Sequence, residues 1–126
     1  SRGEVLEAQA QADRLVMVQK YREQQVVVDV DNALSAIDRA KERVEAAAQS
    51  LRLAKTLEEG ERFRFSLGAT SVLFVNLRER NTVDSENQLI RAKVDYQKAL
   101  ALYQWAIGAW AKSNPSAVPV NYRARD

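Results

Sequence analysis

The most informative stretch of the sequence is residues 26–54, which read VVVDVDNALSAIDRAKERVEAAAQSLRLA. Apolar residues recur here in alternating steps of four and three, the spacing that places them along one face of a helix. A seven-residue repeat sustained in this way is typical of a left-handed coiled coil. One position of the repeat is always small and the other always large: Ala33, Ala40, Ala47 and Ala54 alternate with Val30, Ile37, Val44 and Leu51.

The same repeat returns near the end of the sequence. Small and large residues again alternate in sevens: Ala92, Ala99 and Ala106 with Leu89, Tyr96, Tyr103 and Trp110. Neither Gly nor Pro occurs between Glu4 and Glu59 or between Ala69 and Ile107, so nothing interrupts a helix there. Gly60 and Gly68 are expected to bracket a short break between the two helices. The sequence therefore predicts an all-α fold, a long antiparallel two-helix coiled-coil hairpin.

The positions of Gly and Pro also predict the boundaries along the chain. These are an N-terminal flank at 1–3, a long heptad helix at 4–64, a tip turn at 65–70, a second long helix at 71–112 and a tail at 113–126. Pro115 and Pro119 are expected to keep the tail extended or irregular. Gly68 is expected to supply a backbone angle that other residues disfavour, and Thr70 or Ser71 to cap the second helix. Since the sequence opens with Ser rather than Met, we expect it to be a piece of a longer protein.

Two apolar stripes run along the second helix, on nearly opposite sides. The helix-packing seam between the two helices comprises Val30, Ala33, Ile37, Ala40, Val44, Ala47, Leu51, Leu89, Ala92, Tyr96, Ala99 and Tyr103. The second seam comprises Val83, Ile90, Val94, Ala101 and Gly108. A helix with two apolar stripes needs two neighbours, and two helices alone bury little surface. We therefore expect the hairpin to assemble into a larger helical bundle or tunnel.

Composition excludes most catalytic chemistry. The chain has no His and no Cys, so it has no imidazole base, thiol nucleophile, disulfide or zinc-finger ligand set. The carboxylate pairs Asp29/Asp31 and Asp84/Glu86 are two residues apart, which makes them diverge on a helix. We predict no enzyme activity, no metal site and no cofactor.

Charge gives no indication of a nucleic-acid partner. The net charge is only +2, and acidic and basic residues are interspersed. The run Arg62-Phe63-Arg64-Phe65 alternates basic and aromatic residues as a nucleic-acid platform does, but no basic patch surrounds it. We expect its arginines to pair instead with Glu58, Glu59 or Glu61.

Two segments resemble the TolC-like outer-membrane efflux proteins. Residues 62–73, RFRFSLGATSVL, are similar to the periplasmic turn of that family, in which an aromatic residue, two spacers, Gly, two residues and Ser or Thr precede a new helix. Residues 89–96, LIRAKVDY, followed by Ala99-Leu100-Ala101 and Ala106-Ile107-Gly108, are similar to its closing helix. The resemblance covers roughly residues 3–110. Family members often carry an Asp early in the second helix, where this sequence has Phe74-Val75-Asn76-Leu77, so the resemblance does not extend to an acidic pore mouth.

The resemblance implies a passive role in export. The chain would be the last periplasmic hairpin of the second repeat of a channel subunit that forms a homotrimer. It would lie in the periplasm of a Gram-negative envelope and touch the membrane only through barrel strands outside this chain. Its tip would dock a periplasmic adaptor that is linked to an inner-membrane pump. By resemblance, the docking surface would be Phe65, Ser66, Leu67, Gly68, Ala69 and Thr70.

Two other classes of protein also use such hairpins. One is a periplasmic adaptor (membrane fusion) protein, whose hairpin is flanked by lipoyl-like β segments; neither end of this sequence has a Gly-rich, Val-rich strand pattern. The other is a cytosolic coiled-coil scaffold, which would dimerise through the Ala33–Ala54 seam and leave the second seam exposed.

Overall fold

The fold is given by a computed structural model that describes residues 1–119 and 121. Helix α1 spans Arg2–Ser66 and helix α2 spans Val72–Ser113, followed by one 3-10 turn at Pro115–Ala117. The two long helices pack against each other, and this described part of the chain has no β-strand. The predicted fold class, an antiparallel two-helix coiled-coil hairpin, is confirmed.

The first helix is longer than predicted at both ends. At its start the Ser1 hydroxyl accepts a hydrogen bond from the Glu4 amide (3.3 Å), so the helix begins at Arg2 rather than at residue 4. Gly60 does not break the helix, contrary to expectation. A glycine inside a helix costs only about 1 kcal/mol, which the packing of other residues along the same helix can offset.

Gly68 ends the first helix at the tip. It has a positive φ of 74°, as its place in the sequence predicted. Its amide donates to the Phe65 carbonyl (3.0 Å) and the Ala69 amide donates to the Arg64 carbonyl (2.8 Å). This pair of bonds is the Schellman motif, which satisfies the last carbonyls of a helix when Gly adopts the left-handed conformation.

The start of the second helix differs from the prediction of a side-chain cap. Neither the Thr70 nor the Ser71 hydroxyl bonds to the first turn of α2; instead the Ser71 backbone carbonyl accepts the amides of Phe74 (3.1 Å) and Val75 (3.3 Å). Val72 and Leu73 are exposed, so water can satisfy the remaining amides of the first turn.

Residues 36–100 form one compact unit. Ala40 is completely inaccessible, and Ala54 and Ala92 are also buried, together with Val75, Thr82 and Glu61. The larger residues of the helix-packing seam are half-buried. An ion pair between Glu61 and Arg78 shows the register. From this pair, steps of seven residues toward the start of α1 and toward the end of α2 place Ala54 opposite Ser85. The next steps place Ala47 opposite Ala92 and Ala40 opposite Ala99. Small residues thus face small residues, which lets two helix axes approach closely.

The second compact unit comprises residues 1–35 and the chain from Ala101 onward. Among its described residues Ala33 and Ala106 are buried, and every residue from 1 to 25 is exposed. The tail departs from the expected extended structure: Ser113 is the last residue of α2, and Pro115–Ala117 form a 3-10 turn, because the fixed φ of Pro suits the first position of such a turn. The expectation for the tail also covers residues 120 and 122–126, which lie outside the described residues.

Candidate docking site at the hairpin tip

The six predicted docking residues lie together where the chain turns. Phe65 and Ser66 form the last positions of α1, and the others belong to the connection that leads to α2. Leu67 is 67% exposed, Phe65 is about half exposed, and Thr70 is half-buried. The Ser66 hydroxyl donates to the Phe63 carbonyl (2.6 Å), so this hydroxyl is bonded within its own helix.

The exposed apolar surface at the tip is larger than the predicted site. Its members are large apolar side chains from both helices and the turn, here called the apolar cap: Phe63, Phe65, Leu67, Val72, Leu73, Phe74 and Leu77. Sequence reasoning identified only Phe65 and Leu67 among them as docking residues. The signal it missed is that residues 63–77 contain a single charged side chain, that of Arg64.

Directly behind the apolar cap, two groups of ion pairs join the helices. Arg62 contacts Glu58 within α1 (3.3 Å) and Glu79 on α2 (2.6 Å). The pairing of Arg62 and Arg64 with Glu58 and Glu61 was predicted from their spacing. The cross-helix partner Glu79 was not predicted. Glu59 makes no ion pair in the part of the chain that the structure describes.

Glu61 is the centre of the second group. Its side chain is only 7% exposed, and its two oxygens are held by different arginines: Oε2 by Arg64 of the same helix (3.4 Å) and Oε1 by Arg78 of α2 (3.5 Å). Glu61 follows Ala54 by seven residues, so it occupies the next position of the alanine series. A carboxylate therefore fills the last small-residue layer before the tip. The heptad count is the sequence signal that could have revealed its burial.

The two predicted seams differ in their surroundings. Every residue of the helix-packing seam is buried or half-buried. Every residue of the second seam is exposed, with Ile90 59% accessible. The helix-packing seam of α2 is thus covered by α1, while the second seam has no covering neighbour among the described residues.

Across residues 1–119 and 121, no group of three or more acidic side chains is arranged to hold a metal ion. The carboxylates of Asp29, Asp31, Asp84 and Glu86 are all exposed. Neither helix, within the described ranges, contains a stretch long and apolar enough to cross a bilayer.

The chain was compared with protein-family models, with curated proteins and with solved structures. None of them matches it. A function for the chain is therefore inferred from the apolar cap, the ion pairs behind it and the exposed second seam.

Proposed function

We propose that this chain is a periplasmic helical-tunnel segment of an outer-membrane channel subunit, similar to the TolC-like proteins, in a tripartite efflux or export system. Its hairpin tip docks a periplasmic adaptor. The observation that supports this proposal most directly is a hairpin whose tip exposes a nearly uncharged apolar surface while its second helix exposes a further apolar stripe. Exposed apolar patches of this kind mark interaction surfaces.

The second seam supports the tunnel part of the proposal. Val83, Ile90 and Val94 face solvent on a helix whose other side already packs on α1. In a tunnel wall, each helix contacts a neighbour on both sides, so this stripe would be covered by an adjacent hairpin. In the proposed homotrimeric parent, those neighbours come from the same subunit and from the next.

The proposed role involves no bond making or breaking. The helices form the wall of a conduit, and the tip connects this wall to an adaptor and, through it, to an inner-membrane pump. The residues that matter are then those that pack the wall and those that form the docking surface.

Two substitutions in the full-length parent gene test the docking role. We expect Leu67→Asp and Gly68→Trp to abolish efflux of a fluorescent dye from cells, because the first puts a charge and the second a bulky ring into the contact. The trimer should still assemble, as judged by native electrophoresis of the purified protein.

Two further variants serve as matched controls. Gln49→Asp adds the same charge at an exposed position on α1 away from the tip, and Gly68→Ala changes the backbone preference without adding bulk. Both should transport as the parent does. Transport that survives both Leu67→Asp and Gly68→Trp would rule out the docking role, and a parent gene without a signal peptide and an internal repeat would rule out the channel.

A further inference from the structure

We infer that the ion pair between Glu61 and Arg78 selects the register in which the two helices pack, a choice that the alanines of the seam leave open. Register here means which residue of α1 lies opposite which residue of α2. The pair lies in the last small-residue layer before the tip, and its carboxylate side chain is only 7% exposed. This conformational device belongs to the fold itself and acts whatever partner the tip binds.

The alanines of the helix-packing seam fit two registers equally well. In the observed register, Ala47 lies opposite Ala92 and Ala40 lies opposite Ala99. Because the alanines of each helix are seven residues apart, a shift of α2 by seven residues again places alanine opposite alanine. The shifted layers are Ala54 with Ala92 and Ala47 with Ala99. Two such layers form in either register, so the small residues that bring the helices together do not decide between them.

Glu61 distinguishes the two registers. In the observed one its Oε1 contacts Arg78 (3.5 Å), whereas in the shifted one it would lie opposite Ser85 and keep Arg64 of its own helix as a partner. Removing one cation from a carboxylate that stays buried is strongly unfavourable. A shift by seven residues in the other direction is also disfavoured, since the Arg78 guanidinium would then lie opposite Ala54. One acidic and one basic residue thus disfavour both neighbouring registers.

The choice of register also decides which residues form the turn. Gly68 adopts its positive φ of 74° in the observed register. In the shifted register the chain would turn near residues 72–74, Val-Leu-Phe, where no glycine is present to adopt such an angle. These residues would then leave α2 and become part of the turn. The Glu61–Arg78 pair therefore helps to determine the side chains that the tip presents.

Disulfide formation can report the register, because the chain has no cysteine of its own. The pair Ala47→Cys/Ala92→Cys is opposed in the observed register, and the pair Ala54→Cys/Ala92→Cys in the shifted one. Two cysteines form a disulfide only when their Cα atoms lie within about 7 Å, and a shift of seven residues moves one of them by about 10 Å. The effective concentration of each pair is measured against glutathione, at a protein concentration where the bond forms within one chain. In the parent, the observed pair should exceed the shifted pair by about a hundredfold or more.

The decisive variant moves the arginine to the position that faces Glu61 in the shifted register. Arg78→Ser with Ser85→Arg exchanges two residues of α2 that are seven apart and leaves the composition unchanged. The ratio of the shifted to the observed disulfide should rise about a hundredfold, because Glu61 loses its arginine in one register and gains it in the other. The matched control, Arg80→Asn with Asn87→Arg, moves an exposed arginine by the same seven residues and should keep the parent ratio.

Circular dichroism establishes whether each variant keeps its helix content. In a folded exchange variant, a rise smaller than about tenfold would refute the inference, because the turn at Gly68 would then set the register. Equal formation of both disulfides in the parent would refute it as well. If the exchange variant loses helix, Glu61→Ala with Arg78→Ala decides in its place, since it replaces the pair by two further alanines. A rise of about tenfold or more in that variant supports the selecting role of the pair, and a smaller rise overturns it.

Discussion

The carboxylate of Glu61 is the most informative target for mutation, because it lies in a seam otherwise made of small residues. We consider three variants: Arg78→Ala, Glu61→Ala and the double variant. The double variant extends the alanine series of α1 by one heptad and places Ala opposite Ala at the layer where Glu61 now meets Arg78. The prediction is that Arg78→Ala is harmful alone and nearly harmless in combination with Glu61→Ala.

The size of the effect follows from the exposure of the groups. Arg78→Ala leaves Glu61, at 7% side-chain exposure, with Arg64 as its one remaining cationic partner among the described residues. Removing one partner of a fully buried pair costs about 3–5 kcal/mol, whereas exposed pairs contribute about 0–1 kcal/mol. Since Arg78 is 36% exposed, water already reaches the pair, and we expect a loss of about 2 kcal/mol. Replacing a buried ion pair by apolar residues is often neutral, so the double variant should lie within about 1 kcal/mol of the parent.

Urea unfolding, followed by circular dichroism at 222 nm, measures the free energy of unfolding of the parent and of the three variants. The protein concentration is one at which the oligomeric state is constant. The coupling energy of the cycle should be about 1–2 kcal/mol. Glu42→Ala, which removes an exposed carboxylate from α1, is the control and should change stability by less than about 0.5 kcal/mol. If the double variant loses as much as the two single variants together, Glu61 and Arg78 do not depend on each other and the reasoning fails.

Three further predictions concern the turn and the two seams. Gly68→Ala should lower the free energy of unfolding by about 1 kcal/mol in the same assay, because alanine disfavours the positive φ at this position. A steric clash adds nothing to this cost, since a Cβ would meet no atom within 4 Å. An unchanged free energy would mean that the turn rearranges. Ala40→Leu should cost about 1–3 kcal/mol because Ala40 is completely buried, whereas Ala46→Leu on the exposed side should change stability little; equal effects would contradict close packing at this layer. Val94→Asp should leave the melting temperature of this chain unchanged, since the side chain is exposed, and should prevent assembly of the full-length parent on native electrophoresis; a normal trimer would show that the second seam is not a subunit contact.

Much of the fold could be predicted because the repeat is local. Ala33, Ala40 and Ala47 fall on one face of any helix by their spacing, so the seam required no knowledge of the partner helix. Gly68 was predictable for a similar reason, because the left-handed conformation disfavours other residue types. The prediction that the Thr70 or Ser71 hydroxyl caps the start of α2 was wrong, because whether a hydroxyl meets an amide depends on the path of a short turn.

The candidate site was only partly predictable. Phe65 and Leu67 were identified by resemblance, and the structure places them in a larger exposed cap that includes Leu73. Composition gives the low charge of this segment, but not which side chains face solvent. That depends on how the first turns of α2 meet the last turns of α1.

The sequence by itself determined two long helices, the turn between them and the stripe on which they meet, because helical periodicity is a property of a single chain. Only the tertiary structure decided that Glu61 is buried between two arginines and that Arg62 reaches Glu79, seventeen residues away. Such pairs depend on the register and separation of two helices. The alanine seam determines that separation, because small side chains let the helices approach until charges on both can meet.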